Sequence, residues 1–98
     1  MKIVINNPSS HSRNLLRRAG YALHNTRDGE ISFVRRLHGD DYPRFHIYVN
    51  KEEPGKLIEF SLHLDEKRAS YEGHTAHSGQ YEGEIVQQEQ ERILSSIK

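Results

Sequence analysis

Phe45-His46-Ile47-Tyr48-Val49 and Ile58-Glu59-Phe60-Ser61-Leu62-His63-Leu64 alternate apolar and polar residues on either side of Glu53-Pro54-Gly55-Lys56. Alternation of period two sends apolar side chains to one face of a strand and polar ones to the other. Pro followed by Gly at the centre of four residues is the sequence of a tight turn. With Pro54 and Gly55 as its central pair, Phe45 faces Leu64, Ile47 faces Leu62 and Val49 faces Phe60, all on the side that becomes the core. On the other side His46 faces His63, Tyr48 faces Ser61 and Asn50 faces Glu59. A slip of one residue would set each apolar side chain against a polar one. A slip of two keeps the faces and sets Asp65 or Ser61 opposite His46 instead.

The hairpin needs partners to bury its apolar face, and the rest of the chain supplies them. Ahead of it, Ile31-Ser32-Phe33-Val34-Arg35-Arg36-Leu37 reads as a third strand that buries Ile31, Phe33 and Leu37 and turns Ser32, Val34 and Arg36 to the polar side. Pro43 stands before the second strand, where it need donate no ladder hydrogen bond. A first helix follows Pro8, with the serines at 9, 10 and 12 as caps, Leu15, Leu16 and Ala19 as its apolar stripe and Gly20 as its stop. Tyr21–Asn25 reads as a short strand or a frayed end of that helix, and Asp28-Gly29 as a turn. A last helix over about residues 84–97 carries Val86, Ile93, Leu94 and Ile97, with Glu84 at its positive end.

The fold class is therefore α+β, an antiparallel sheet of three to four strands with an N-terminal and a C-terminal helix on one face, in the order α-β-β-β-α. At 98 residues, with 23 Leu, Ile, Val and Phe, the chain suits one domain over 1–98. Residues 67–83 are rich in Gly, Ser, His and Tyr, lack an apolar period, and read as a long loop. The absence of cysteine excludes disulfides and thiolate metal sites or nucleophiles. The apolar run at the N-terminus is too short for a signal peptide and no stretch is long enough to span a bilayer, so the expectation is a cytoplasmic protein.

The polar face of the hairpin gathers the chemistry. Residues opposed across an antiparallel pair have Cβ atoms about 4.5–5.5 Å apart, so His46 and His63 are within reach of each other. Asp65 projects from the same face. Matching the apolar residues of the third strand to Phe45, Ile47 and Val49 allows a register with Arg36 beside His46. The expected row is then Arg36, His46 and His63, looking outward, with Asp65 at its end and Tyr48 alongside.

Two readings follow for this row. A pair of imidazoles that holds one proton between them is equipped for general acid–base catalysis by His46 and His63, with Arg36, Asp65 and Tyr48 binding a small anion. Alternatively, two neutral imidazoles and a carboxylate suit a metal ion such as zinc, with His74 and His77, spaced H-x2-H in the loop, as further ligands to His46 and His63. Arg36 beside His46 favours the anion, because it repels a dication. Histidines and tyrosines on a sheet face also serve cross-strand packing alone, and His11, His24 and His38 read as incidental surface or turn residues.

Charge is distributed unevenly. Residues 1–50 hold eight bases and four acids, and residues 51–98 six bases and ten acids, so a net of +4 faces a net of −4. Such a split serves either attraction between halves of one fold or a basic surface for a polyanion. The second would use Arg13, Arg17 and Arg18 on the first helix with Arg35, Arg36 and Arg44, in salt-dependent contact with RNA.

Ala19-Gly20-Tyr21, Ser32-Phe33-Val34-Arg35, Tyr42-Pro43-Arg44-Phe45-His46-Ile47-Tyr48-Val49, Leu62-His63-Leu64-Asp65, Ser70-Tyr71-Glu72-Gly73 and Ala76-His77-Ser78-Gly79-Gln80-Tyr81 resemble a family of small uncharacterised bacterial proteins, which implies no particular activity. Leu15-Leu16-Arg17-Arg18-Ala19-Gly20-Tyr21, followed by strands and a closing helix, is similar in topology to the Hic-type mRNA interferase toxins. That resemblance implies a double-stranded-RNA-binding-like fold and an RNA partner. The Gly-Ser-His signature that follows the first helix in those toxins is missing here, with His24 nearest to its place. Three classes of function stand open on the sequence: a metal- or anion-binding or catalytic module, an RNA-binding domain, and an interaction module, such as a homodimer formed through a sheet edge.

Overall fold

The computed structural model describes residues 1–24, 30–66, 79–80 and 83–97. The Asp28-Gly29 turn, and most of the 67–83 segment with His74 and His77, lie outside the described residues. The elements in chain order are β1 (Lys2–Asn6), α1 (Ser12–Arg18), β2 (Ala22–His24), β3 (Ser32–Arg36), β4 (Arg44–Glu53), β5 (Leu57–Asp65), β6 (Gly79–Gln80) and α2 (Glu84–Ser96). The strands form one antiparallel sheet in the order β1-β5-β4-β3-β2, and β6 pairs with the end of β5. The fold is α+β, as the patterning implies, with a wider sheet.

Two strands account for the extra width. β1 precedes α1 and pairs with β5, setting Ile3 opposite Phe60 on the buried face, so the element order opens with a strand rather than a helix. β2 settles the ambiguous segment after Gly20 as a strand, paired with β3. Within the expected loop, Gly79–Gln80 continues the sheet beside Leu64 and Asp65.

The hairpin holds its expected register through two compensating irregularities. Lys56 N–H donates to the Glu53 carbonyl at 2.9 Å across a turn in which Gly55 has φ +76°, a conformation that suits glycine. The first facing pair beyond the turn is Glu53 with Leu57, which leaves Lys56 as an extra residue on one side. A bulge between Val49 and Lys51 inserts Asn50 as an extra residue on the other. Lys51 rather than Asn50 therefore faces Glu59. From Val49–Phe60 to Phe45–Leu64 the pairs are the expected ones, His46–His63 and Tyr48–Ser61 included.

Both helices cover the apolar face of the sheet. Phe33, Phe45, Ile47, Ile58, Phe60, Leu62 and Leu64 from the strands pack with Leu15, Leu16, Val86 and Ile93 from the helices. Ile31, expected in the core, is exposed because it lies just outside β3, while Leu37 is partly buried. α1 ends as expected: Gly20 has φ +92°, its N–H donates to Arg17 O at 3.0 Å, and Tyr21 N–H donates to Leu16 O at 2.9 Å.

The start of α1 differs from the expectation. No serine side chain caps it; instead Glu52 of β4 accepts the Ser12 N–H at 2.9 Å and the Ser12 hydroxyl at 2.8 Å. α2 is fastened by a buried carboxylate. Glu89, 3% exposed, accepts from Tyr21 Oη at 2.6 Å, from Arg35 Nε and Nη2 at 3.0 Å each, and from Arg92. Among the described residues no helix is long and apolar enough to cross a membrane.

Candidate functional site

The sheet face turned away from the helices carries His24 from β2, Ser32, Val34 and Arg36 from β3, Arg44, His46 and Tyr48 from β4, and Ser61, His63 and Asp65 from β5. Strand parity puts them there: each is an even step from its neighbours on the same strand and an odd step from a core residue. Cross-strand pairing arranges them in rows. Val34 faces His46, which faces His63; one row along, Arg36 faces Arg44, which faces Asp65.

Arg36 is therefore not beside His46. β3 sits two residues along from the expected register, a slip that keeps every side chain on its face but changes its partner. Arg35 faces Phe45 on the core side, its guanidinium 5.5 Å from the ring centroid and held by Glu89. That buried ion pair lets an arginine occupy a position that apolar matching alone would deny it.

Asp65 is the hub of the face. His63 Nε2 lies 2.8 Å from its Oδ1, while His46 Nδ1 lies 3.0 Å and Arg44 Nε 3.2 Å from its Oδ2. Burial alone would push the Asp65 carboxyl up. The hydrogen bonds from His46 and His63 outweigh it and hold the group well below the usual carboxylate range. Asp65 is thus an anion, and the imidazole nitrogens facing it act as donors.

The rings stack into a column. Tyr48 lies against His46 with centroids 4.4 Å apart and against His63 at 5.7 Å; the two imidazoles are 5.1 Å apart, and His24 meets His46 edge-on at 5.4 Å. The imidazoles are neighbours that look away from the helices, as expected, but the packing shields them from solvent: His46 is 6% exposed and His63 9%. They are on the expected face, but neighbouring rings take up the sides that solvent would have reached. Burial, with the charge of Arg44 beside it, lowers the pKa of His24. His46 Nε2 and Ser32 Oγ are both buried without a hydrogen-bond partner among the described residues, an uncommon state for buried polar atoms.

The sequence reading missed two members of this site. Arg44 opposite Asp65 follows from the hairpin register itself, one step beyond Phe45–Leu64. His24 carried no signal of its own until β2 was known to be a strand. The arginines proposed for RNA are divided between faces: Arg13, Arg17 and Arg18 are exposed on α1, Arg35 is tied to Glu89 on the helix side, and Arg36 and Arg44 lie opposite.

His46, His63 and Asp65 each offer one donor atom within 4.8 Å of the others, a spacing that could hold a metal ion. Comparison of the chain with protein-family models, with curated proteins and with solved structures finds no significant match.

Proposed function

We propose that this protein is a metal-binding module whose ion sits between His46, His63 and Asp65. Two imidazoles and one carboxylate form the donor set of zinc and ferrous sites that keep a position open for water or a ligand. The observation that carries the reading is the Asp65 carboxylate, within hydrogen-bond distance of both imidazoles in a nearly buried cluster. To ligate a divalent ion, His46 Nδ1 and His63 Nε2 would each present a lone pair where they now direct a proton at Asp65: a neutral ring moves that proton to its other nitrogen and a protonated ring gives one up, so binding strengthens as pH rises. Arg44 opposes a dication, yet its hold on Oδ2 leaves Oδ1 for the ion and orients the carboxylate. An ion held there would supply Lewis acidity to whatever fills its open position.

Calorimetric titration of the metal-free protein with zinc tests the reading. Stoichiometric binding, weakened in Asp65→Asn by more than the roughly 10- to 100-fold that loss of an outer-shell partner costs, supports it. No binding, or binding indifferent to Asp65→Asn and His63→Ala, overturns it.

A second reading has one observation in its favour. His46 presents Nδ1 to a carboxylate and leaves Nε2 without a partner among the described residues, the arrangement of a carboxylate-oriented general base. In that case Asp65 fixes the tautomer and no ion is needed.

A further inference from the structure

Arg36 and Arg44 face each other directly across β3 and β4, on the same side of the sheet. Like charges directly opposed in a sheet repel, and a fold keeps such a pair only where something offsets it. The carboxylate beside Arg36 does so poorly. Arg36 meets Asp41 at 3.0 Å with both side chains more than half exposed, a type of pair that contributes little. Arg44 gives Nε to Asp65 and lies over the Tyr42 ring, its guanidinium 4.6 Å from the centroid. Among the described residues neither Arg44 Nη nitrogen has a carboxylate or carbonyl acceptor.

Both arginines line a concave space. A cleft of about 700 Å³ is bounded by β2, β3 and the segment before β4, and Ala22, His24, Arg36, Tyr42 and Arg44 line it. Asp41 is the sole carboxylate among its described lining residues, already beside Arg36. Contact with the Tyr42 ring restricts the Arg44 side chain, so less entropy is lost when an acceptor arrives.

We infer that this cleft binds a small tetrahedral oxyanion, of the phosphate or phosphate-monoester class, between the Arg36 and Arg44 guanidinium groups. A carboxylate is filled by one fork, whereas a phosphate has oxygens enough for both, and bidentate arginine contacts are suited to it. The inference does not rest on the metal reading: Arg36 touches none of His46, His63 or Asp65 by register, and the anion would meet the outer nitrogens of Arg44 rather than the one that Asp65 uses.

Titration of the metal-free 98-residue chain with inorganic phosphate at low ionic strength, followed by NMR of arginine side-chain and backbone N–H signals, tests it. Saturable shifts at Arg36, Arg44 and Tyr42, with acetate producing weaker ones, support the inference. Arg36→Gln should weaken phosphate binding roughly tenfold, as loss of one charge-assisted contact does; Arg13→Gln on α1 should leave it unchanged. Because Arg44 also braces Asp65, Arg44→Lys is the variant for that position, and it should weaken binding while the protein stays folded. Shifts that fail to saturate, that spread equally to Arg13 and Arg17, or that survive Arg36→Gln unchanged overturn the inference. Phosphate binding without zinc binding would remove only the metal reading, and zinc binding without phosphate binding only this one.

Discussion

Glu52 accepts the Ser12 N–H at 2.9 Å, so a carboxylate on the hairpin caps the first helix. The bulge makes this possible. Past Val49 the extra residue reverses strand parity, and Glu52 faces Ile58 on the helix side of the sheet instead of pointing away from it. A negative charge there also suits the positive end of the helix.

Glu52→Ala is expected to lower stability by about 1–2 kcal/mol, the usual consequence of losing an N-terminal cap. Glu52→Gln should cost less, because its amide oxygen still accepts from Ser12. Urea denaturation of both variants checks the order, and a Glu52→Ala protein as stable as the parent would remove the capping role.

The Glu89 cluster gives the fold a pH dependence of definite sign. Burial would raise the Glu89 pKa, but hydrogen bonds from Arg92, Arg35 and Tyr21 lower it below the ordinary 4.5. A group whose folded pKa is depressed contributes stability above its unfolded value, and that contribution is lost as pH falls. Stability should therefore be steady above about pH 5.5 and fall as pH drops below the unfolded glutamate value near 4.5. Glu89→Gln should flatten this part of the profile and destabilise at neutral pH by about 3 kcal/mol, because it leaves Arg35 and Arg92 facing a neutral amide. Thermal melts of both proteins between pH 3 and 7 decide it; parallel profiles would show that the slope arises elsewhere.

Legibility in the sequence followed the strength of local periodicity. The hairpin register could be read because two clean alternations flank a Pro-Gly turn, and it survived a bulge only because Lys56 and Asn50 add one residue on opposite strands. The position of β3 could not, because apolar matching ignores the Arg35–Glu89 pair that places an arginine opposite Phe45. Glu89 itself occupies the stripe of Val86 and Ile93, where a charge reads as a gap in the pattern rather than an anchor. β1 escaped notice because two isoleucines in a five-residue segment are too few to establish a period. Facing was legible, whereas exposure was not: His46 and His63 are on the expected side, but their burial depends on Tyr48 and His24 stacking around them.

The two faces of the sheet should respond differently to truncation. Phe60 is fully buried among apolar neighbours, and Phe60→Ala should cost about 3–5 kcal/mol. His46→Ala or His63→Ala should cost about 1 kcal/mol each, since Asp65 keeps Arg44 and the other imidazole as partners. Asp65→Ala should exceed either histidine variant, because it strips all three partners at once. Chemical denaturation of the four variants tests this ranking, and a histidine variant less stable than Phe60→Ala would reverse the assignment of faces.

Zinc should stabilise the folded chain if the His46–His63–Asp65 reading is right. The imidazoles and carboxylate converge only when β4 and β5 are paired in register, so the unfolded chain has no such site, and binding free energy adds to folding free energy. At a free zinc concentration about a hundred times the Kd, the added stability is about 2.7 kcal/mol. The effect should vanish with a chelator and weaken as pH falls through the imidazole range, where protons compete for the same nitrogens. Asp65→Asn with His63→Ala should abolish the zinc-dependent rise in Tm while leaving the chelator-treated melt cooperative. A rise of equal size in that double variant would locate the ion away from this face and end the case for a metal centre on Asp65.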